Sequence, residues 1–144
     1  MNTFLPHPDF SECAKVLDLR RLGKQIIECR QIFKAIMDPE YGWQNRPAVN
    51  MWRGYGRHLF WYAGAMGGEW VSRTDRGHGA WSNILTDPIG PLLYQLDIPP
   101  WLGDERLHSS HRSNLLRKDP EHYGQFGWTE PHDIEYFWPS KSEE

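Results

Sequence analysis

Apolar positions recur every three or four residues along most of the chain, the spacing that lines one face of an α-helix. No segment sustains the alternation of apolar and polar residues that a half-buried strand needs. Phe10, Cys13 and Leu17, then Leu22, Ile26, Cys29 and Phe33, form the first such face. They predict a helical region that starts at Asp9 or Ser11, either of which can cap it, and runs to about Met37, where Asp38-Pro39 stops it. Gly23 marks a weak or closely packed point within it. The preceding "MNTFLPHP" reads as extended or turn-like, because a proline disfavours helix in the residue before it.

A loop, "EYGWQN", leads into a second helix with Pro47 in its first turn and Val49, Trp52, Leu59 and Phe60 on its apolar face. Gly67-Gly68 should interrupt or end that helix, and Ser72 to Gly79 reads as a mobile loop. Short helices are expected at "AWSNIL" and "PIGPLLYQL". After Pro99-Pro100 a last long helix begins on Asp104 and continues through "ERLHSSHRSNLLRK" until Asp119-Pro120. "IEYFWP" adds an extended segment lying against the body. The pattern gives a mainly α fold: a single compact helical domain with short extended terminal segments over residues 1–139, followed by a polar tail at 140–144.

Composition narrows this picture. A chain of 144 residues supports one hydrophobic core. Its two cysteines, Cys13 and Cys29, are too few for a disulfide framework and suit packed thiols in a reducing compartment. No apolar run approaches the roughly 20 residues that span a bilayer, and the start lacks a secretory leader, so a cytoplasmic protein without a membrane partner is expected. A formal charge of −3 excludes a generally basic coat but leaves room for a local basic groove. Eight tryptophans, six tyrosines and six phenylalanines can fill a core or offer faces on which bases stack.

Three groups of residues could carry chemistry. Arg21, Lys24, Gln25 and Glu28 share one helical face beside Arg20, which suits either surface ion pairs or a phosphate grip next to acid–base work. Asn45, Arg46, Asn50 and Arg53 surround a loop-to-helix junction, with Trp43 and Trp52 able to stack on a base or wedge into a base step; a hydrogen-bonded loop explains them equally. His108, His111 and Arg112 lie on one side of the last helix, with Lys118 further along. Glu105-x-x-His108 has the spacing of carboxylate-bridged metal sites, but a metal needs three or four ligands and neither cysteine is near, so no metal is assigned. These histidines fill or cap the helix surface, contact a phosphate backbone or move protons.

With its strand-like start, the early "LDLRRLGKQIIE" and the junction "YGWQNRPAVNMWRGY", which looks like the "GYRNHP" stretch of bacterial relatives, the chain resembles the pyrimidine-dimer DNA glycosylase superfamily of small endonuclease V type enzymes. The resemblance covers roughly the first half; the second half looks like a bacterial and phage branch of that group. It implies a helical protein that needs no cofactor, binds duplex DNA at damaged or modified pyrimidines, and cleaves the N-glycosidic bond through a terminal amine that attacks C1′, assisted by a carboxylate. Glu28 is the first choice for that carboxylate. Asn2 hinders removal of Met1, which makes Lys24, beside Arg20 and Arg21, an alternative amine. On this reading Glu28, Lys24, His108 and His111 are catalytic. Arg20, Arg21, Gln25, Asn45, Arg46, Asn50, Arg53, Arg112, Lys118, Trp43 and Trp52 contact DNA. Two alternatives stay open: a non-catalytic module that recognises DNA or a modified base, and an enzyme modifying a pyrimidine nucleotide or hypermodified phage base, with Glu105, His108 and His111 as metal ligands.

Overall fold

The computed structural model describes residues 1–139, which fold without a strand; the expected polar tail at 140–144 lies outside the described residues. The first helical region is two helices, α1 (Phe10–Val16) and α2 (Leu19–Met37). Leu17 and Asp18 between them are extended, because the Asp18 carboxylate accepts the Arg21 N–H at 3.3 Å and starts a new helix. The Tyr123 hydroxyl donates to the same carboxylate and fixes the junction.

The second predicted helix is also divided, into α3 (Pro47–Trp52) and α4 (Gly56–Thr74), around Gly54 at φ +89°. Gly67-Gly68 does not end α4 as the sequence suggested. A Cβ on Gly67 would lie 3.2 Å from the Trp81 indole, so this glycine serves close packing inside a continuous helix. α4 therefore extends to Thr74, into the segment expected to be loop, and closes on Asp75 at φ +59°. α5 (Gly79–Thr86) follows, but "PIGPLLYQL" yields only a 3₁₀ turn at Gly90–Tyr94. α6 (Glu105–Lys118) starts on Asp104 as expected, and α7 (Pro120–Tyr123) is a single turn. α4 packs against α1 and α2, and α5 against α2.

Two extended segments, one from each end of the chain, lie against this helical body. Thr3, Phe4 and Leu5 are buried, and an extended segment with no sheet partner must find side chains for its backbone groups. Gln25 Oε1 accepts the Phe4 N–H at 2.7 Å, and the Tyr62 hydroxyl donates to the Phe4 carbonyl at 2.7 Å. His111 Nδ1 accepts the Leu5 N–H at 2.8 Å, and His108 Nδ1 lies 2.7 Å from the Leu5 carbonyl, to which it donates. Arg112 donates to the Pro6 carbonyl at 2.7 Å.

The C-terminal segment from Pro131 to Trp138 runs along another face of α6. Ser113 donates to the Pro131 carbonyl at 2.5 Å and accepts the Ile134 N–H at 3.0 Å. Asn114 donates to the Ile134 carbonyl at 2.9 Å, and Ser110 accepts the Phe137 N–H at 3.1 Å. The polar run "HSSHRSN" thus makes α6 the element that holds both ends of the chain. His108, His111 and Arg112 take the backbone of one segment; Ser110, Ser113 and Asn114 take that of the other.

Candidate active site

Where the N-terminal segment crosses α2, a cleft of about 350 Å³ opens to solvent. One wall is the helical face identified in the sequence: Arg20, Arg21, Lys24, Gln25 and Glu28. The N-terminal segment contributes Met1, Asn2 and Phe4. Lys118 from the end of α6 and Tyr136 and Trp138 from the C-terminal segment close the opposite side.

Glu28 is 7% exposed, and its Oε2 has no hydrogen-bond partner. Burial raises its pKa, while the terminal ammonium of Met1 and then Lys24 pull it back down. The carboxylate is thus within the electrostatic reach of two amines. Gln25 is 1% exposed and already committed to the Phe4 N–H, which couples the floor of the cleft to the incoming segment.

The cations at the rim are crowded. Burial lowers the Lys118 pKa, and Arg21, Arg117 and Lys24 add repulsion. Arg21 pairs with Asp18 at 3.2 Å, whereas Arg20, Lys24 and Lys118 make no ion pair among the described residues. Burial pushes the Asp18 carboxyl up, but the Tyr123 hydroxyl and Arg21 carry it below the usual range, so it is an anion that steadies Arg21. A rim on which Arg20, Lys24 and Lys118 have no ion-pair partner among the described residues attracts phosphate.

The junction residues lie elsewhere. Arg53 donates to the Gln44 carbonyl at 2.8 Å and to Gln44 Oε1 at 2.9 Å, and its Nε reaches Asn50 at 3.3 Å. Trp52 is fully buried and donates to the Thr3 hydroxyl at 2.9 Å. Trp43 meets Tyr41 edge-on and carries the Arg46 guanidinium 5.8 Å above its ring. None of Asn45, Arg46, Asn50, Arg53, Trp43 or Trp52 lines the cleft.

Of the third group, Lys118 lines the cleft, whereas His108, His111 and Arg112 do not. His108 and His111 are fully buried; His111 lies behind the lining residues Phe4 and Tyr136, and His108 Nε2 accepts the Gly103 N–H at 2.9 Å. Burial, followed by His108, lowers the His111 pKa to about 3, so its ring is neutral. Arg112 is bound by Glu105 and Glu130. Of the sequence candidates, the cleft gathers Arg20, Arg21, Lys24, Gln25, Glu28 and Lys118. It adds Phe4, Tyr136 and Trp138, which helical periodicity cannot place because they lie on extended segments.

Residues 1–83 match the pyrimidine dimer DNA glycosylase family. That is more than half of the 144 residues. The chain belongs to the pyrimidine dimer DNA glycosylase family. No curated protein and no solved structure matches it. As a member of the pyrimidine dimer DNA glycosylase family the chain has DNA as its partner class, and no helix of the described residues is long and apolar enough to cross a membrane. The matched residues include the whole α2 wall of the cleft and the N-terminal segment. Lys118, Tyr136 and Trp138 lie beyond them.

Proposed function

We propose that the cleft is the catalytic centre of a DNA glycosylase with lyase chemistry, acting on damaged or modified pyrimidines through an amine of its own. The observation that carries this reading is a buried carboxylate with a free oxygen, Glu28, within electrostatic reach of the Met1 amine in a cleft whose cations Arg20, Lys24 and Lys118 have no ion-pair partner among the described residues. Arg20, Arg21, Lys24 and Lys118 hold the phosphates on either side of an exposed nucleotide. Tyr136 and Trp138 offer the aromatic faces on which its base stacks.

The amine must be unprotonated to attack, and Glu28 is placed to accept its proton. As the nitrogen bonds to C1′, the bond from C1′ to the base breaks, and the bonding pair leaves with the base, which takes up a proton. The nitrogen lone pair then opens the C1′–O4′ bond, O4′ is protonated, and an imine joins protein and sugar. Water or elimination resolves the imine.

Borohydride reduction in the presence of duplexes carrying an abasic site, a pyrimidine dimer or a modified pyrimidine tests the reading. A covalent adduct is expected on the α-amine of Met1 by peptide mapping. An adduct on Lys24 assigns the nucleophile to that side chain instead. Salt-sensitive binding with neither adduct nor base release sinks the enzyme reading and leaves a recognition module.

A further inference from the structure

We infer that His108 and His111 are positioning residues: they hold both backbone groups of Leu5 and so fix the register of the N-terminal segment that delivers the terminal amine to Glu28. The inference rests on the amine-based reading above. It follows from the way the segment is bound. From Thr3 to Pro6 the contacts come from side chains on α3, α2, α4 and α6; Gln25 and Tyr62 hold both backbone groups of Phe4, and the histidines, both from α6, hold both backbone groups of Leu5.

Neutral imidazole suits this task because one ring offers a donor at one nitrogen and an acceptor at the other. His108 uses both, donating from Nδ1 to the Leu5 carbonyl and accepting the Gly103 N–H at Nε2. His111 accepts the Leu5 N–H at Nδ1, so its proton sits on Nε2. The His111 ring also stands edge-on to Phe4, with centroids 6.1 Å apart, and to Tyr136, at 5.5 Å. Both neighbours line the cleft, so this buried ring touches its two extended walls from behind.

A slip of the segment by one residue would exchange the faces of its side chains and withdraw the amine from Glu28. Misplacement of a reacting group by about 1 Å can cost about a hundredfold in rate. The histidines therefore act on the chemical step without touching substrate.

The experiment compares His111→Leu, which removes the acceptor, with His111→Asn, whose amide oxygen can take the place of Nδ1. Single-turnover imine trapping at saturating abasic duplex is read beside duplex affinity and the NMR titration of Glu28. We expect His111→Leu to trap at least about tenfold more slowly, with duplex affinity within about twofold of wild type, and Glu28 to titrate higher as the amine withdraws. His111→Asn should recover most of both. Wild-type trapping and an unmoved Glu28 titration in His111→Leu overturn the proposal, as does a His111→Asn variant no better than His111→Leu. Should His111→Leu fail to fold, Arg112→Gln releases the Pro6 carbonyl from outside the core, and the same two readouts decide. Absence of any adduct in the wild-type protein refutes the amine mechanism instead, and the Glu28 titration then decides the positioning role by itself.

Discussion

Gly23 of α2 lies against the indole of Trp70 on α4, so close that a Cβ there would stand 2.7 Å from Cζ3 of the ring. The indole is itself held edge-on to His78, with ring centroids 4.9 Å apart, and has little room to yield. Gly23→Ala removes a conformational cost of about 1 kcal/mol in the helix but overpacks the α2–α4 contact by about 1–3 kcal/mol. A net loss of stability is expected, seen as a lower urea midpoint with an unchanged slope. A midpoint at or above that of wild type would mean the two helices can separate at no cost.

The same glycine shows how far the pattern of apolar residues reaches. Periodicity located α6 with its Asp104 cap and its stop at Asp119-Pro120, because these act through neighbours only a few residues away, but it ran α1 and α2 together and missed the Asp18 cap between them. It could not tell a glycine that breaks a helix from one that admits an indole, since Trp81 and Trp70 approach Gly67 and Gly23 from other elements. The α2 wall of the cleft was legible for a similar reason: Arg20, Arg21, Lys24, Gln25 and Glu28 are neighbours on one helix. The role of "HSSHRSN" was not, because its partners, Leu5 and the segment from Pro131, come from opposite ends of the chain.

Burial of neutral His111 makes the fold sensitive to mild acid. Its pKa falls from 6.5 to about 3 in the folded protein, so between these values the unfolded chain binds the extra proton. Stability is therefore complete above about pH 6.5 and declines as the pH falls toward 3, at up to about 1.4 kcal/mol per unit for this one group. His7, His58, His78 and His108 are shifted downward too and add the same sign. Urea unfolding at pH 7, 6 and 5 should give a flatter dependence for His111→Asn than for wild type. An equal slope would show that another group takes up the proton.

Ser113 governs the C-terminal wall. It serves the Pro131 carbonyl and the Ile134 N–H together, and Ser113→Ala strips two hydrogen bonds at a net cost of roughly 1 kcal/mol each. Hydrogen exchange should rise across 131–138 and stay unchanged in α2 and α4. If the segment carries the stacking surface, duplex affinity should fall with it. Faster exchange without any loss of affinity would separate Tyr136 and Trp138 from substrate.

Lys118 lies beyond the family-matched residues yet faces Arg21 and Lys24 across the cleft. If it meets a phosphate, Lys118→Ala should weaken binding to all duplexes alike and reduce the slope of log affinity against log salt by about 0.9. An unchanged slope would place the phosphate path along Arg20, Arg21 and Lys24 alone.

Glu28 sets function against stability. Its carboxylate is buried with one oxygen unpartnered, and burial raises its pKa despite the nearby amines. For an acid raised in this way the folded protein binds the extra proton, so stability falls as the pH climbs from the unfolded value through the folded one and remains reduced above it. Glu28→Gln removes the charge at nearly constant shape. The variant should be at least as stable as wild type at pH 7, and that advantage should shrink as the pH falls through the carboxylate range and the wild-type carboxyl takes up its proton. The same substitution should lower single-turnover trapping by on the order of a hundredfold or more, the usual share of a general acid or base, while duplex affinity is kept. A variant that loses stability at pH 7 while trapping at the wild-type rate would make Glu28 a structural anion held in place by Met1 and Lys24, and the proton acceptor would have to be sought elsewhere in the cleft.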